Sequence, residues 1–263
     1  MSEFRHPEVT ALVLAAGQGT RMKSDLPKVL HPIAGRALLS YMLDTLGRLD
    51  VGRTLVVIGH QRERVRAAFP DASAGWVVQE PQRGTGHAVM MADPELKGFT
   101  GTLLVVPGDT PLLRAETLHN LLVGHQASEA AATVLSMQLP DPAGYGRIVR
   151  TGALVPGIPA PIERIVEHRD ASAAQLAIDE VNSAIYAFRY PDLERVLSRL
   201  STHNAQGEYY LTDSIALLRG EGKRTSVVCA LDYRELLGIN TVEQLAEAER
   251  TMRELPLSPR RAS

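Results

Sequence analysis

The segment Leu14-Ala-Ala-Gly-Gln-Gly-Thr-Arg-Met22, followed at once by Asp25-Leu-Pro-Lys-Val-Leu-His31, constrains this chain more than any other stretch. Before it lies an apolar run, Val9, Ala11, Leu12, Val13 and Leu14, as expected of a parallel strand covered on both faces. The strand empties into a loop in which Gly17 and Gly19 remove Cβ atoms that would hold backbone N–H groups away from phosphate oxygens. Arg21 and Lys28 add positive charge. Backbone donors fix the geometry of a phosphate chain, and cations offset the charge that would repel an incoming anionic nucleophile. The segment therefore implies an α/β chain with a nucleotide-phosphate grip.

Two better-known glycine patterns fail here. A dinucleotide fingerprint needs a third glycine where Met22 stands, and its ribose-binding acid falls at Asp44, inside a helical pattern. A P-loop needs Gly-Lys-Ser/Thr directly after the glycines, whereas Lys28 arrives later and behind Pro27.

With 263 residues, 44% of them hydrophobic, and a formal charge of −2, the chain can bury a large core and offers no field for nucleic acid. The one basic cluster, Arg260-Arg261, lies in a tail at 256–263 that reads as disordered. Cys229, the single cysteine, excludes an internal disulfide and fits a buried thiol in a reducing cytoplasm. Neither a signal peptide nor a span-length apolar run is evident, so no membrane association is expected.

Apolar runs at 9–14, 55–58, 76–79 and 103–106 alternate with helical patterns, one of which places Leu38, Met42, Leu46 and Leu49 on a single face. That alternation predicts a mostly parallel, Rossmann-like sheet with helices on both faces, whose ligand crevice lies beyond the carboxyl ends of the strands. Gly17, Gln79 and Asp109 fall there. The second half is β-rich, at 132–138, 147–150, 162–167 and 182–188, and suggests a smaller mixed region laid over the sheet. Residues 152–161, rich in proline and glycine, read as an extended loop or hairpin tip.

Further short pieces follow in order: Val78-Gln79-Glu80, Gly84-Thr-Gly-His-Ala88, Gly108-Asp-Thr-Pro-Leu112, Gly144-Tyr-Gly-Arg-Ile148, Ile165-Val-Glu-His168, Val181-Asn-Ser-Ala-Ile185, Asn204-Ala-Gln-Gly-Glu-Tyr-Tyr-Leu-Thr-Asp213 and Leu237-Gly-Ile-Asn240. Together with the glycine loop they resemble the sugar-1-phosphate uridylyltransferases. The resemblance is nearest to the N-terminal half of the bifunctional N-acetylglucosamine-1-phosphate uridylyltransferase/glucosamine-1-phosphate acetyltransferase family, and it covers about residues 9–252. It implies a glycosyltransferase-A-like nucleotidyltransferase domain over 1–255, with a nucleotide-binding part at about 8–128 and a sugar-binding part at about 129–240. The hexapeptide repeats of the family's acetyltransferase domain are absent from this sequence, so acetyl transfer and the trimer built on those repeats are not expected, and a monomer is.

The resemblance also implies roles. Leu14, Ala15, Ala16 and Gly17 would meet the base and ribose, Gly19, Thr20, Arg21 and Lys28 the phosphates, and Gln79 and Gly84 the uracil ring. An amide suits a pyrimidine edge because it carries both a donor and an acceptor. Asp109 emerges at the end of an apolar strand, and magnesium favours such a hard oxygen ligand. Asn240 precedes an apparent capping box, Thr241-Val-Glu-Gln244. By resemblance Asp109 and Asn240 hold Mg²⁺, while Thr85, Gly146, Glu167 and Asn182 hold the sugar phosphate, with Asp109 and Asn240 also beside it. His87 reads as structural. Two positions depart from the family pattern: Ala184 replaces a glycine of Asn-Thr-Gly-Ile, and Pro107 stands where relatives carry a tyrosine.

The implied reaction is attack of N-acetylglucosamine-1-phosphate on the α-phosphorus of UTP, releasing pyrophosphate and supplying UDP-N-acetylglucosamine for cell-wall (peptidoglycan) synthesis. The nucleophile is already ionised, so Arg21, Lys28 and Asp109 carry catalysis by positioning and charge neutralisation. A different sugar-1-phosphate or nucleotide is the alternative within enzymes. An inactive nucleotide-sugar-binding regulatory domain is the alternative outside them.

Overall fold

The computed structural model describes residues 4–254; the tail expected to be disordered, 256–263, lies outside the described residues. In chain order the elements are β1 (His6–Ala15), β2 (Pro32–Ile33), β3 (Arg36–Ala37), α1 (Leu38–Leu49), β4 (Val51–Ile58), α2 (Arg62–Ala67), β5 (Gly75–Val78), α3 (Thr85–Ala92), β6 (Thr102–Pro107) and α4 (Ala115–Ala127). The second half adds β7 (Ala132–Gln138), β8 (Arg147–Arg150), β9 (Ala160–Val166), α5 (Ala173–Leu176), β10 (Glu180–Arg189), α6 (Tyr190–Leu197), α7 (Asp213–Gly220), β11 (Thr225–Cys229) and α8 (Val242–Glu254).

Among the described residues one nine-stranded sheet, in the order β5-β4-β1-β6-β10-β7-β11-β9-β8, organises the chain. The first four strands are mutually parallel, and β10 runs against both β6 and β7. Successive side chains of a strand point to opposite faces. Accordingly Leu12 packs with Ala88 and Val89 of α3 and with α6 and α7, while Ala11 and Val13 pack on the other face with Leu39, Met42 and Leu46 of α1 and Leu118 of α4. Coverage on both faces is why the strands read as apolar runs.

The β-rich half is not laid over the sheet. Its strands extend the sheet, because β10 returns antiparallel beside β6 and so continues the ladder. Residues 151–159 close the antiparallel β8–β9 pair as a hairpin tip, shorter than the 152–161 loop expected because Ala160 and Pro161 already belong to β9. Cys229 is a buried free thiol. No helix among the described residues is long and apolar enough to cross a membrane.

Reversal of β10 has a consequence for geometry. The carboxyl ends of β1, β4, β5 and β6 share one sheet edge, and the start of β10 lies at that same edge. At the corner, Val181 of β10 pairs with Arg147 of β8, which also pairs with Val166 of β9. Gly146, Glu167 and Asn182 each directly adjoin one of those three residues in sequence, so register alone brings them together.

Candidate active site

Beyond the carboxyl ends of β1, β5 and β6 lies a cleft of about 500 Å³. Leu14, Ala15, Ala16, Gly17, Lys28, Gln79, Gly84, Thr85 and Asp109 line it, together with Gln82, Pro107, Ala184 and Glu208. Gly19, Thr20 and Arg21 stand outside that lining, on the loop beside its mouth. Gly17 has nothing within 4 Å of where a Cβ would lie, so the chain itself does not require glycine there. Gly19 is different: its φ of +64° is left-handed, and a Cβ would meet Lys28 Cβ at 2.7 Å.

Lys28 sits at the centre of the polar wall. Its ammonium is ion-paired with the Asp109 carboxylate and donates to Asn240 Oδ1 at 2.7 Å, and both charged side chains are largely buried. Arg21 Nη2 donates to the same Asn240 oxygen at 2.8 Å. Asn240 is 131 residues from Asp109 in sequence yet is held beside it, because Ile239 N–H donates to the Asp109 carbonyl at 2.9 Å. Upstream, buried Glu235 anchors the strap leading to Asn240 through Arg114 and through Thr117 Oγ1, which donates at 2.7 Å.

The capping box differs from the sequence expectation by one residue. Thr241 Oγ1 accepts from Gln244 N–H at 3.2 Å, as expected, but the Gln244 side chain closes on the N–H of Asn240 rather than of Thr241. This pins the Asn240 backbone at the start of α8, with the side-chain oxygen turned to Lys28 and Arg21.

The Asp109 carboxylate and the Asn240 amide oxygen both contact one ammonium, so these two hard oxygens converge on a single cation-sized point. That donor pair suits magnesium, which is usually held by one or two protein oxygens with phosphates and water completing its octahedron. No cluster of three or more His, Cys, Asp or Glu side chains able to hold a metal occurs among the described residues.

At the base of the cleft, buried Gln79 donates from Nε2 to the Gly84 carbonyl at 2.9 Å. His87 Nδ1 lies 3.2 Å from the same nitrogen. Gly84 has φ +99°, and a Cβ there would strike the Tyr209 carbonyl at 2.7 Å. The segment around Tyr209 runs close alongside: Tyr209 N–H donates to Arg83 O and Gly86 N–H to Tyr209 O. The glycines of Gly84-Thr-Gly are thus explained by the segment around Tyr209, distant in sequence but packed directly against them. Gln82, for which no sequence signal existed, donates to Ala16 O at 2.9 Å and accepts from Gln18.

The second group of candidates forms a connected corner. Asn182 N–H donates to Gly146 O at 2.9 Å. Asn182 Nδ2 donates to Tyr186 Oη at 2.7 Å, and its Oδ1 accepts from Ala184 N–H, with Ala184 lining the cleft. Glu167 accepts from Thr212 Oγ1 at 3.0 Å. Burial pushes the Glu167 carboxyl up, an effect that hydrogen bond opposes. Tyr145 precedes Gly146 in this corner; burial and the nearby Asp109 carboxylate raise its phenol, and Arg21 acts oppositely. Thr85 Oγ1 accepts from Leu211 N–H at 3.1 Å, tying the start of α3 to the same corner. Tyr186, Thr212 and Tyr145 were given no role from sequence.

A phosphate-loop cleft at the carboxyl edge of a doubly covered sheet, with a basic and an acidic side chain at its mouth, defines a nucleotide-binding α/β protein. Residues 11–178 match the family model described as a MobA-like NTP transferase domain, and the chain belongs to that family. The bifunctional protein GlmU of Thermobifida fusca is 49% identical over 249 residues, covering 92% of this chain and 50% of that protein. GlmU of Streptomyces avermitilis is 48% identical over 255 residues, covering 96% of this chain and 52% of the relative. The chain thus spans about half the length of these relatives. A UDP-glucose pyrophosphorylase structure complexed with UDP-glucose superposes with a TM-score of 0.72 at 18% identity, covering 93% of this chain and 98% of that one. At that identity the likeness concerns the fold.

Proposed function

We propose that this chain transfers UMP from UTP to N-acetylglucosamine-1-phosphate, giving UDP-N-acetylglucosamine and pyrophosphate, as a UDP-N-acetylglucosamine diphosphorylase. The observation that carries the reading is the convergence of Lys28, Asp109, Asn240 and Arg21 on one point at the mouth of a cleft that also holds Gln79. The extended identity to GlmU supports it. Leu14, Ala15, Ala16 and Gly17 contact base and ribose, Gln79 and Gly84 read the uracil edge, and Gly19, Thr20, Arg21 and Lys28 hold the phosphates. Thr85, Gly146, Glu167 and Asn182 hold the sugar phosphate, close to Asp109 and Asn240. The nucleotide part is about 8–128 and the sugar part about 129–240.

The sugar phosphate oxygen forms a bond to the α-phosphorus as the bond to the departing pyrophosphate oxygen breaks. An ionised phosphate needs no general base, so the side chains act by holding the two anions in line and cancelling their repulsion. Asp109 and Asn240 would hold Mg²⁺, which supplies charge neutralisation at the phosphates. Lys28, which lines the cleft beside Asp109, holds a phosphate oxygen by its charge. A monomer is the assembly this reading expects. A cytoplasmic location, with neither nucleic acid nor membrane as partner, fits small anionic substrates and the buried thiol of Cys229. UDP-N-acetylglucosamine made there would feed cell-wall synthesis.

Pyrophosphate release from UTP with a panel of sugar-1-phosphates tests the reading. Glu167 and Asn182 are expected to favour the N-acetylated sugar over glucose-1-phosphate by roughly tenfold to a hundredfold, since a pocket built for an amide leaves polar groups unmatched by a hydroxyl. Equal use of glucose-1-phosphate overturns the sugar assignment, and no turnover with any sugar overturns the enzyme.

A further inference from the structure

The Gln79 amide meets two neighbours at one of its ends. Nε2 lies 2.9 Å from the Gly84 carbonyl and 3.2 Å from His87 Nδ1. The other end, Oε1, has no hydrogen-bond partner among the described residues, and Gln79 lines the cleft. A primary amide carries two N–H donors, so Nε2 can satisfy both neighbours at once. Turning the amide over would set Oε1 against the Gly84 carbonyl oxygen, acceptor against acceptor. His87 reinforces the same orientation only in its neutral form with the proton on Nε2, because a proton on Nδ1 would face the N–H groups of Gln79.

We propose that His87 is a positioning residue: through Nδ1 it accepts from Gln79 Nε2 and, with the Gly84 carbonyl, locks the amide so that only Oε1 faces the nucleobase pocket. The inference rests on the nucleotide-binding reading above and deepens it. A fixed acceptor pairs with a base that presents a ring N–H, as uracil does at N3. Cytosine presents a bare nitrogen at that position, so two lone pairs would meet. His87 thereby acts on nucleobase choice without touching the nucleotide.

The surroundings of the ring favour the form the lock needs. His87 stands in the first turn of α3, with the Tyr209 ring stacked at 6.2 Å between centroids. Arg83 is the charged group acting on it from the loop before α3, while Glu208, on the segment packed against Gly84, lines the same cleft. Burial first, and Arg83 second, hold its imidazole below the ordinary value. The neutral ring is therefore the resident form at pH 7, and acidification converts Nδ1 from acceptor to donor.

Three measurements on the full chain test the lock. His87→Leu, which keeps bulk and removes the acceptor, is expected to raise KM for UTP about fivefold and to lower the UTP-over-CTP ratio of kcat/KM similarly, the worth of about one net hydrogen bond, with kcat little changed. His87→Asn, whose Oδ1 can stand where Nδ1 stood, is expected to restore both. Second, KM for UTP should rise in the wild type as pH falls below 6.5, while His87→Asn lacks that component; the ratio of the two profiles cancels titration of the nucleotide phosphate. Third, nitrogen-15 spectra at pH 7 should show His87 Nδ1 bare and Nε2 protonated. A proton on Nδ1, or a folded His87→Leu chain with unchanged KM and base preference, overturns the proposal. Should His87→Leu fail to fold, the pH-profile ratio and the tautomer decide. Should the wild type turn over no UTP, the proposed function fails while the tautomer measurement still decides the lock.

Discussion

Gly19 and Lys28 stand so close that a Cβ on Gly19 would lie 2.7 Å from the Cβ of Lys28. The left-handed backbone at Gly19 adds a second obstacle to any side chain, of about 1–2 kcal/mol. Gly19→Ala is therefore expected to displace Lys28 from Asp109 and Asn240, lowering both Tm and kcat/KM for UTP, the latter by about tenfold. Gly17→Ala, with open space around it, should melt with the wild type. A Gly19→Ala chain that keeps wild-type Tm and kcat/KM contradicts this.

Asp109→Asn should cut turnover by on the order of a hundredfold while the chain remains folded, since a neutral amide is a poorer magnesium ligand. Pyrophosphate release titrated with magnesium is the measurement. Activity within a few-fold of wild type at ordinary magnesium would remove Asp109 from the metal site.

Ala184 carries φ +63° where β10 bulges against β7, a backbone conformation that costs a residue with a Cβ. Ala184→Gly should stabilise the chain by about 1 kcal/mol, the relief of strain exceeding the added freedom of the unfolded chain. Removing a methyl from the cleft wall should also sharpen preference for the N-acetylated sugar. Denaturant unfolding checks the first part, and a lower midpoint for Ala184→Gly would refute it.

Burial raises the Glu167 carboxyl above its ordinary value, so folding favours the protonated form. The sign follows from linkage: the folded state gains at pH below the unfolded carboxyl range and loses that gain as pH rises through the elevated folded value. Glu167→Gln, which keeps an acceptor for Thr212 without the charge, should thus unfold at a higher temperature than wild type at pH 8. The advantage should shrink as pH falls toward the ordinary carboxylate range. Sugar-dependent turnover should fall in the same variant. A wild type more stable than Glu167→Gln at pH 8 would show that the charge is better compensated than its burial indicates.

The four parallel strands, α1 and α8 were legible in sequence because their signals are local. Unbroken apolar runs need covered faces, and Leu38, Met42, Leu46 and Leu49 need one helical side. The glycine loop and its flanking cations were legible for the same reason, being one contiguous segment. Placement of the β-rich half was not, because period-two patterning says that a strand exists but not which strand it joins; β10 extends the main sheet where a separate layer was expected.

From sequence alone came the strand-and-loop grip, the candidate residues and, through ordered motifs, the family. Only tertiary structure decided which of those residues meet. Lys28, Asp109 and Asn240 are brought to one point by an Ile239–Asp109 backbone bond and by a Gln244 side chain that caps one residue earlier than its motif suggests. His87 and Gln79, eight residues apart, share a hydrogen bond at the start of α3, and Gly84 lets that turn pack against the Tyr209 segment by having no Cβ. Residue type is written locally, whereas which side chains share hydrogen bonds depends on register and on close backbone approaches between segments more than 100 residues apart.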